Sequence, residues 1–139
     1  METQKLKVTA RREVASGIVE WTLADPNAKL LPGHQAGAHI DVHIGPQLAR
    51  AYSLTQPSGG QPTAQYVFAV ALASASRGGS AHLHQHVQVG HLLEVGLPRN
   101  LFAMVDTPAP VLLIAGGIGV TPLLAMARER QAQAQEAFV

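Results

Sequence analysis

The sequence predicts a mainly β fold: an antiparallel barrel of six strands, followed by the first strand and helix of an α/β unit. Three observations lead to this prediction. Short apolar or alternating segments recur between turn signals from Lys5 to Leu97. Their number and spacing are typical of an all-β barrel. After residue 106, a continuous apolar run and a helix-forming stretch replace the short strands.

The six strands differ in how they are expected to be covered. In "AHIDVHI" (38–44) apolar and polar residues alternate, which predicts a half-buried antiparallel strand. "QYVFAVAL" (65–72) is apolar on both faces, as expected of a strand that is covered on each side. "AHLHQHV" (81–87) is predicted to open a short helix. The predicted strands are 5–14, 18–23, 38–44, 49–55, 65–72 and 92–97.

The last third of the chain has a different pattern. "VLLIA" (111–115) is continuously apolar, which predicts a buried strand of a parallel sheet. Thr121 is predicted to cap a helix that has Pro122 at its first position and strong helix formers over 123–135. "AFV" (137–139) resembles the start of another strand. The chain is therefore predicted to divide into a barrel domain, 1–106, and an incomplete second domain, 107–139.

Composition excludes several classes of protein. With a formal net charge of +1 and no basic stripe, nucleic acid is not an expected partner. No apolar run approaches the roughly 20 residues of a membrane span, and the polar N-terminus is no signal peptide. The absence of cysteine excludes disulfides and a cysteine-held iron–sulfur cluster on this chain. These features lead us to expect a cytoplasmic protein without membrane contact.

Two glycine loops have the chemistry of anion-binding turns. In "SRGGS" (76–80), two glycines and a serine precede the predicted short helix, whose free N–H groups attract anions, and Arg77 or Arg50 could grip a phosphate. A flexible surface turn is the alternative. "AGGIGVTP" (115–122) lies between a predicted strand and a helix, as a pyrophosphate-binding turn requires, although Pro122 stands where the third glycine would fall. An ordinary tight turn remains the alternative there.

Seven histidines raise the question of a metal site. His82 and His86 are four residues apart on the predicted helix, but no Asp, Glu or Cys stands among the clustered histidines to complete a ligand set. We therefore expect no bound metal. Core packing is the expected role of Trp21 and, by default, of Tyr52.

Taken in order, "RAYSL", "SRGGS", "LPRNLF" and "AGGIGVTPLLAMAR" resemble the ferredoxin reductase-like flavoproteins. Within that family the chain is most similar to the reductase components of phthalate dioxygenase and vanillate O-demethylase, from about Lys5 to Val139. The resemblance implies a Greek-key flavin-binding barrel, followed in the family by a pyridine-nucleotide domain and a plant-type [2Fe–2S] domain. This chain would stop inside its second domain, without the [2Fe–2S] domain.

The resemblance also implies roles for individual residues. Arg50 and the run from Gly78 to Ser80 would hold the flavin phosphate, and Ser53 would take the catalytic position near flavin N5, which receives hydride. Tyr52 would lie along the flavin, and residues 68–70 would edge the ring through their backbone. The residues assigned to the cofactors are Arg50, Ala51, Tyr52, Ser53, Phe68, Ala69, Val70, Gly78, Gly79, Ser80, Gly116, Gly117, Gly119 and Thr121.

The implied cofactor is FMN, with FAD less expected; NADH and a [2Fe–2S] cluster would act in the complete protein. The implied partners are NAD(P)H and the terminal oxygenase of a two-component system, and the exposed C-terminal segment makes a homodimer plausible. One departure from the family stands at Ala71, where a lysine is common.

The function expected from these roles is the FMN-binding portion of an NAD(P)H-dependent oxidoreductase. Electrons would pass through the flavin to an iron–sulfur centre and an aromatic-ring oxygenase or O-demethylase. A stand-alone flavin-binding module without NADH turnover is the alternative. A sugar- or ligand-binding barrel, whose glycine loops are only turns, is a third hypothesis.

Overall fold

Six strands form a sheet in the barrel portion of the chain. A computed structural model describes the backbone of residues 2–136 and the side chains of residues 2–134. The predicted start of a strand at 137–139 lies outside the described residues. The strands are β1 (Thr3–Ala15), β2 (Ile18–Ala24), β3 (His39–His43), β4 (Ala49–Ser53), β5 (Tyr66–Ala71) and β6 (Leu92–Gly96).

All ladder pairings of these strands are antiparallel, in the order β4-β3-β6-β1-β2-β5. Insertion of β6 between β3 and β1 makes the order non-sequential. The two edges of the sheet approach each other where Leu54 bridges to Phe68 and the Thr55 N–H donates to the Val67 carbonyl at 2.9 Å. The predicted mainly β class with six antiparallel strands is confirmed.

Burial along the strands follows the apolar pattern of the sequence. In β2, buried Val19, Trp21 and Leu23 alternate with partly exposed neighbours, and β3 alternates in the same way. β5 is buried at five consecutive positions, as its two apolar faces predict. Trp21 is fully buried and stacks on Phe68 with a centroid distance of 5.8 Å, so its predicted place in the core is confirmed.

Two helices complete the described chain. Helix α1 (Gly79–His86) forms where a short helix was predicted, and helix α2 (Val120–Glu136) follows a turn of 3₁₀ helix at Gly117–Gly119. Among residues 2–136, no helix is both long and apolar enough to cross a membrane.

Two local predictions near α2 are wrong. Residues 111–115 form no strand, because no neighbouring strand within residues 2–136 pairs with them, and most of this apolar run is exposed. Thr121 is not the helix cap: the 3₁₀ turn runs directly into α2, so that Thr121 lies inside the helix and its hydroxyl donates to the Ile118 carbonyl at 3.1 Å.

Candidate functional site

A cavity of about 570 Å³ lies between the barrel and the start of α2. Its volume is within the range of pockets that hold a small molecule or cofactor. Strands β4 and β5 and the loop before α1 form one wall, and the 3₁₀ turn with the first residues of α2 forms the other. The lining residues are Arg50, Ala51, Tyr52, Ser53, Ala69, Val70, Ala71, Ala73, Ala75, Ser76, Arg77, Gly79, Ser80, Ile118, Gly119, Thr121 and Pro122.

An aromatic stack supports the barrel wall of the cavity. The half-buried Tyr52 ring stacks on Phe68 with a centroid distance of 5.4 Å and an angle of 24° between the rings, and Phe68 in turn stacks on Trp21. Burial raises the pKa of the Tyr52 phenol, and the positive charge of Arg50 offsets only part of this. Tyr52 therefore presents a neutral aromatic face and a neutral hydroxyl group at neutral pH.

Arg50 lies directly against the glycine loop. A Cβ atom at Gly79 would stand 3.0 Å from the Arg50 Cγ, so that only glycine lets the loop approach this closely without displacing the arginine. The neighbouring Gly78 has φ +100°, a left-handed conformation that favours glycine. The Arg50 guanidinium donates to the Ala49 carbonyl at 2.9 Å through Nη1. Its remaining N–H groups give the cavity a positively charged donor.

Ser76, which was not predicted as a site residue, accepts backbone hydrogen bonds at the start of α1. The Ser76 hydroxyl oxygen accepts the N–H groups of Gly78 and Ala81, both at 3.2 Å. These contacts hold the "SRGGS" loop in place and align Ser76 and Ser80 along the cavity wall. The signal was present in the motif, because a serine shortly before a helix can accept backbone N–H groups of nearby residues.

His84 supports the barrel wall of the cavity without lining the cavity itself. Its Nε2 is 2.8 Å from the Val70 carbonyl, and its ring meets the edge of Trp21 at a centroid distance of 5.5 Å. This histidine therefore joins α1 to β5. The Val70 carbonyl is already engaged within the protein, which limits the backbone contacts that Val70 could offer a ligand.

The structure brings most of the predicted site residues together. Arg50 to Ser53, Ala69, Val70, Gly79, Ser80, Gly119 and Thr121 all line the cavity. Phe68, Gly78, Gly116 and Gly117 do not. The Phe68 side chain is fully buried in the core, and Gly116 and Gly117 are exposed beside the cavity. Ser76, Ala73, Ala75, Ile118 and Pro122 line it although the sequence did not predict them.

The histidines outside the wall form no larger cluster. The His82 and His86 rings lie 5.0 Å apart on the exposed side of α1. Among the residues that the structure describes, no group of three or more His, Cys, Asp or Glu side chains could hold a metal ion. That the protein binds no metal stays a prediction.

Comparison with known proteins identifies relatives that match most of the length of this chain. None of the protein-family models matches the chain. The chain is 46% identical over 121 residues to a putative toluene-4-sulfonate monooxygenase system reductase subunit of Comamonas testosteroni, covering 87% of this chain and 38% of that protein. It is 41% identical over 129 residues to the vanillate O-demethylase oxidoreductase of a Pseudomonas strain, covering 93% and 40%.

A solved structure agrees with these relatives. Phthalate dioxygenase reductase, described as a modular structure for electron transfer from pyridine nucleotides to [2Fe–2S], superposes with a TM-score of 0.88 at 37% identity, over 94% of this chain and 40% of that one. The chain thus spans about two fifths of the length of the proteins it matches. It belongs to the ferredoxin reductase-like flavoproteins, in the family of phthalate dioxygenase reductase and vanillate O-demethylase oxidoreductase.

Proposed function

We propose that this chain is the flavin-binding part of an NAD(P)H-dependent oxidoreductase that serves a terminal oxygenase. One observation carries the proposal. The cavity between β4, β5 and the start of α2 is lined by residues of three motifs that are far apart in the chain. These are the motifs "RAYSL", "SRGGS" and "GIGVTP", and the relatives described above include a monooxygenase system reductase subunit and a vanillate O-demethylase oxidoreductase.

The residues present fit a flavin phosphate at one end of the cavity and an aromatic ring at the other. Arg50, the close-packed Gly79 and the Ser80 hydroxyl supply a positive charge and hydrogen-bond donors for a phosphate. Tyr52, Ser53 and the small side chain of Ala69 line the remaining wall. A bound flavin would accept a hydride from reduced nicotinamide and release electrons singly; the protein fixes its position and polarity.

We propose FMN as the flavin. A terminal phosphate presents several acceptor oxygens to the donors gathered around Arg50 and Ser80, which favours a phosphomonoester at this end of the cavity. Extraction of the bound flavin and its identification by mass spectrometry would test the choice, and recovery of FAD alone would contradict it.

The nicotinamide would approach from the second wall. Gly119 and Thr121 line the cavity there, and the exposed Gly116 and Gly117 lead up to it. The division into a flavin domain, 1–106, and the beginning of a nucleotide domain, 107–139, belongs to this proposal. So do the [2Fe–2S] centre and the terminal oxygenase, which concern a protein longer than this chain.

A second candidate is a flavin-binding module without NADH turnover. It is favoured by residues 111–115, which form no strand among the described residues and are mostly exposed, so that this segment adds no paired strand to the nucleotide side of the cavity. The same exposed segment leads us to propose self-association of the chain.

The test is FMN titration followed by anaerobic addition of NADH. We expect stoichiometric binding of FMN and slow bleaching of the flavin absorbance. Failure to bind any flavin would refute both candidates and leave a barrel with another ligand. Bleaching that saturates at micromolar NADH, at the rate of a full-length relative, would reject the module and show that the chain is functionally whole.

A further inference from the structure

Helix α2 is tied to the barrel by two consecutive charged residues. The Arg128 guanidinium donates to the Thr55 carbonyl at 2.6 Å through Nη1. The Glu129 carboxylate accepts the Ala36 N–H at 3.2 Å through Oε1. Between these contacts and the start of the helix, Ala125 and Met126 pack on Ala36. The contacts join segments more than 70 residues apart in the chain.

Arg128 meets the barrel at a buried residue that is itself hydrogen-bonded to β5. Thr55 is only 1% exposed, and its N–H and hydroxyl both donate to the Val67 carbonyl, at 2.9 and 3.3 Å. Thr55 follows β4 by two residues, and Val67 belongs to β5. Arg128 is therefore hydrogen-bonded to the point where the two strands that form the barrel wall of the cavity meet.

The other end of the same helix forms the opposite wall. Thr121 and Pro122 line the cavity, and Thr121 precedes Arg128 by seven residues, about two helical turns, so that both lie on one face of α2. A helix of this length transmits its position as a rigid rod. The place where Arg128 and Glu129 hold α2 therefore sets where Thr121 stands relative to Tyr52 and Ser53.

We propose that Arg128 and Glu129 are positioning residues that set the separation of the two cavity walls. The consequence of this separation for hydride transfer rests on the proposed function. The contacts that hold α2 on the barrel do not depend on any cofactor. The next arginine has a different role: Arg130 donates to the Thr107 and Ala109 carbonyls, at 2.8 and 2.9 Å, in the segment that joins the barrel to α2. It therefore serves as a matched control on the same helix.

The absence of native cysteine allows a direct test. Nitroxide labels on Lys7→Cys in β1 and Gln131→Cys in α2, both exposed positions, report the distance between barrel and helix by pulsed electron resonance. We expect a narrow distribution in the doubly labelled parent. Arg128→Ala should broaden it and add longer distances, Arg128→Lys should restore it because an ammonium can donate to the same carbonyl, and Arg130→Ala should leave it narrow.

The companion measurement is the affinity for FMN in the unlabelled chains. Arg128→Ala should bind FMN about tenfold more weakly, the loss expected for one charged hydrogen bond that holds the site together, whereas Arg130→Ala should bind as the parent does. An unchanged distance distribution in Arg128→Ala, or equal broadening in Arg130→Ala, would overturn the proposal. If the parent binds no flavin, the proposed function fails, and the distance measurement still decides the link.

Discussion

The hydroxyl oxygens of Ser76 and Ser80 lie 3.1 Å apart at the start of α1. A hydroxyl group has two lone pairs and one proton. The Ser80 hydroxyl donates to the Ser76 oxygen, which also accepts the backbone N–H groups of Gly78 and Ala81. The Ser80 oxygen accepts the Ala73 N–H at 3.2 Å. Because Ser80 lines the cavity, rotation of its hydroxyl would let the same proton donate to an acceptor there.

From this arrangement we expect Ser80→Ala to weaken FMN binding by about tenfold, because a hydrogen bond to a charged phosphate contributes on the order of 1.5–3 kcal/mol. Riboflavin, which lacks the phosphate, should bind equally well to both proteins. Isothermal titration with each flavin measures the difference. Ser74→Ala, which changes an exposed serine of the same loop, is the control. Equal losses for FMN and riboflavin would mean that Ser80 does not contact the phosphate.

Arg50→Ala should weaken FMN binding more than the serine substitution does. The guanidinium supplies a full charge beside the glycine loop, and its loss should reduce the affinity roughly ten- to hundredfold. Fluorescence titration measures the affinity, and Arg77→Ala is the parallel variant because Arg77 also lines the cavity but is exposed. An unchanged affinity in Arg50→Ala, together with a lower affinity in Arg77→Ala, would mean that Arg77 and not Arg50 contacts the phosphate.

His34 should make the folded protein less stable in acid. Its Nε2 bonds the Gln56 carbonyl at 2.7 Å, and its buried Nδ1 has no hydrogen-bond partner among the described residues. Burial lowers the pKa of His34 below the ordinary value of 6.5, although the Gln56 bond and the Glu129 carboxylate act in the opposite direction. The unfolded chain then binds more protons than the folded chain just below pH 6.5, so that the free energy of unfolding falls as the pH decreases through this window.

Urea unfolding at a series of pH values measures this effect. His34→Gln keeps a donor for the Gln56 carbonyl and removes the titrating ring, so its stability should depend less steeply on pH below 6.5. His91→Gln, at an exposed position, controls for the substitution itself. A slope in His34→Gln equal to that of the parent would show that His34 does not contribute.

The apolar segment before the 3₁₀ turn should drive association of the chain with itself. Leu112 is 83% exposed and Ile114 is 81% exposed, and neighbouring exposed apolar side chains of this size promote contacts between proteins. Sedimentation velocity should show association that increases with protein concentration, and the double substitution Leu112→Ser and Ile114→Ser should abolish it. Leu30→Ser, at an exposed leucine in a barrel loop, should change nothing. A monomeric parent at all concentrations would contradict the prediction.

Local patterns were enough to predict most of the barrel. Side chains along a strand alternate between its two faces every second residue. Neighbouring positions are therefore enough to show the alternation in β2 and β3 and the two apolar faces of β5. The same holds for the short helix after "SRGGS", since turn and capping residues act within a few positions. The order of the four motifs predicted the family. Three of these motifs contain most of the residues that line the cavity.

The six barrel strands and the two helices could be predicted from neighbouring residues, because strand and helix periods and turn signals act over a few positions. The candidate cofactor residues came from the resemblance of the motifs to a known family. How these elements and residues pack together depends on tertiary contacts between distant parts of the chain. The bond from Arg128 to Thr55 spans 73 positions, and His84 reaches Val70 across two elements; no local pattern encodes such pairings. The same reason explains the run 111–115. Its apolar residues predict a strand, but a strand exists only when a neighbouring strand accepts its backbone hydrogen bonds, and among residues 2–136 none does.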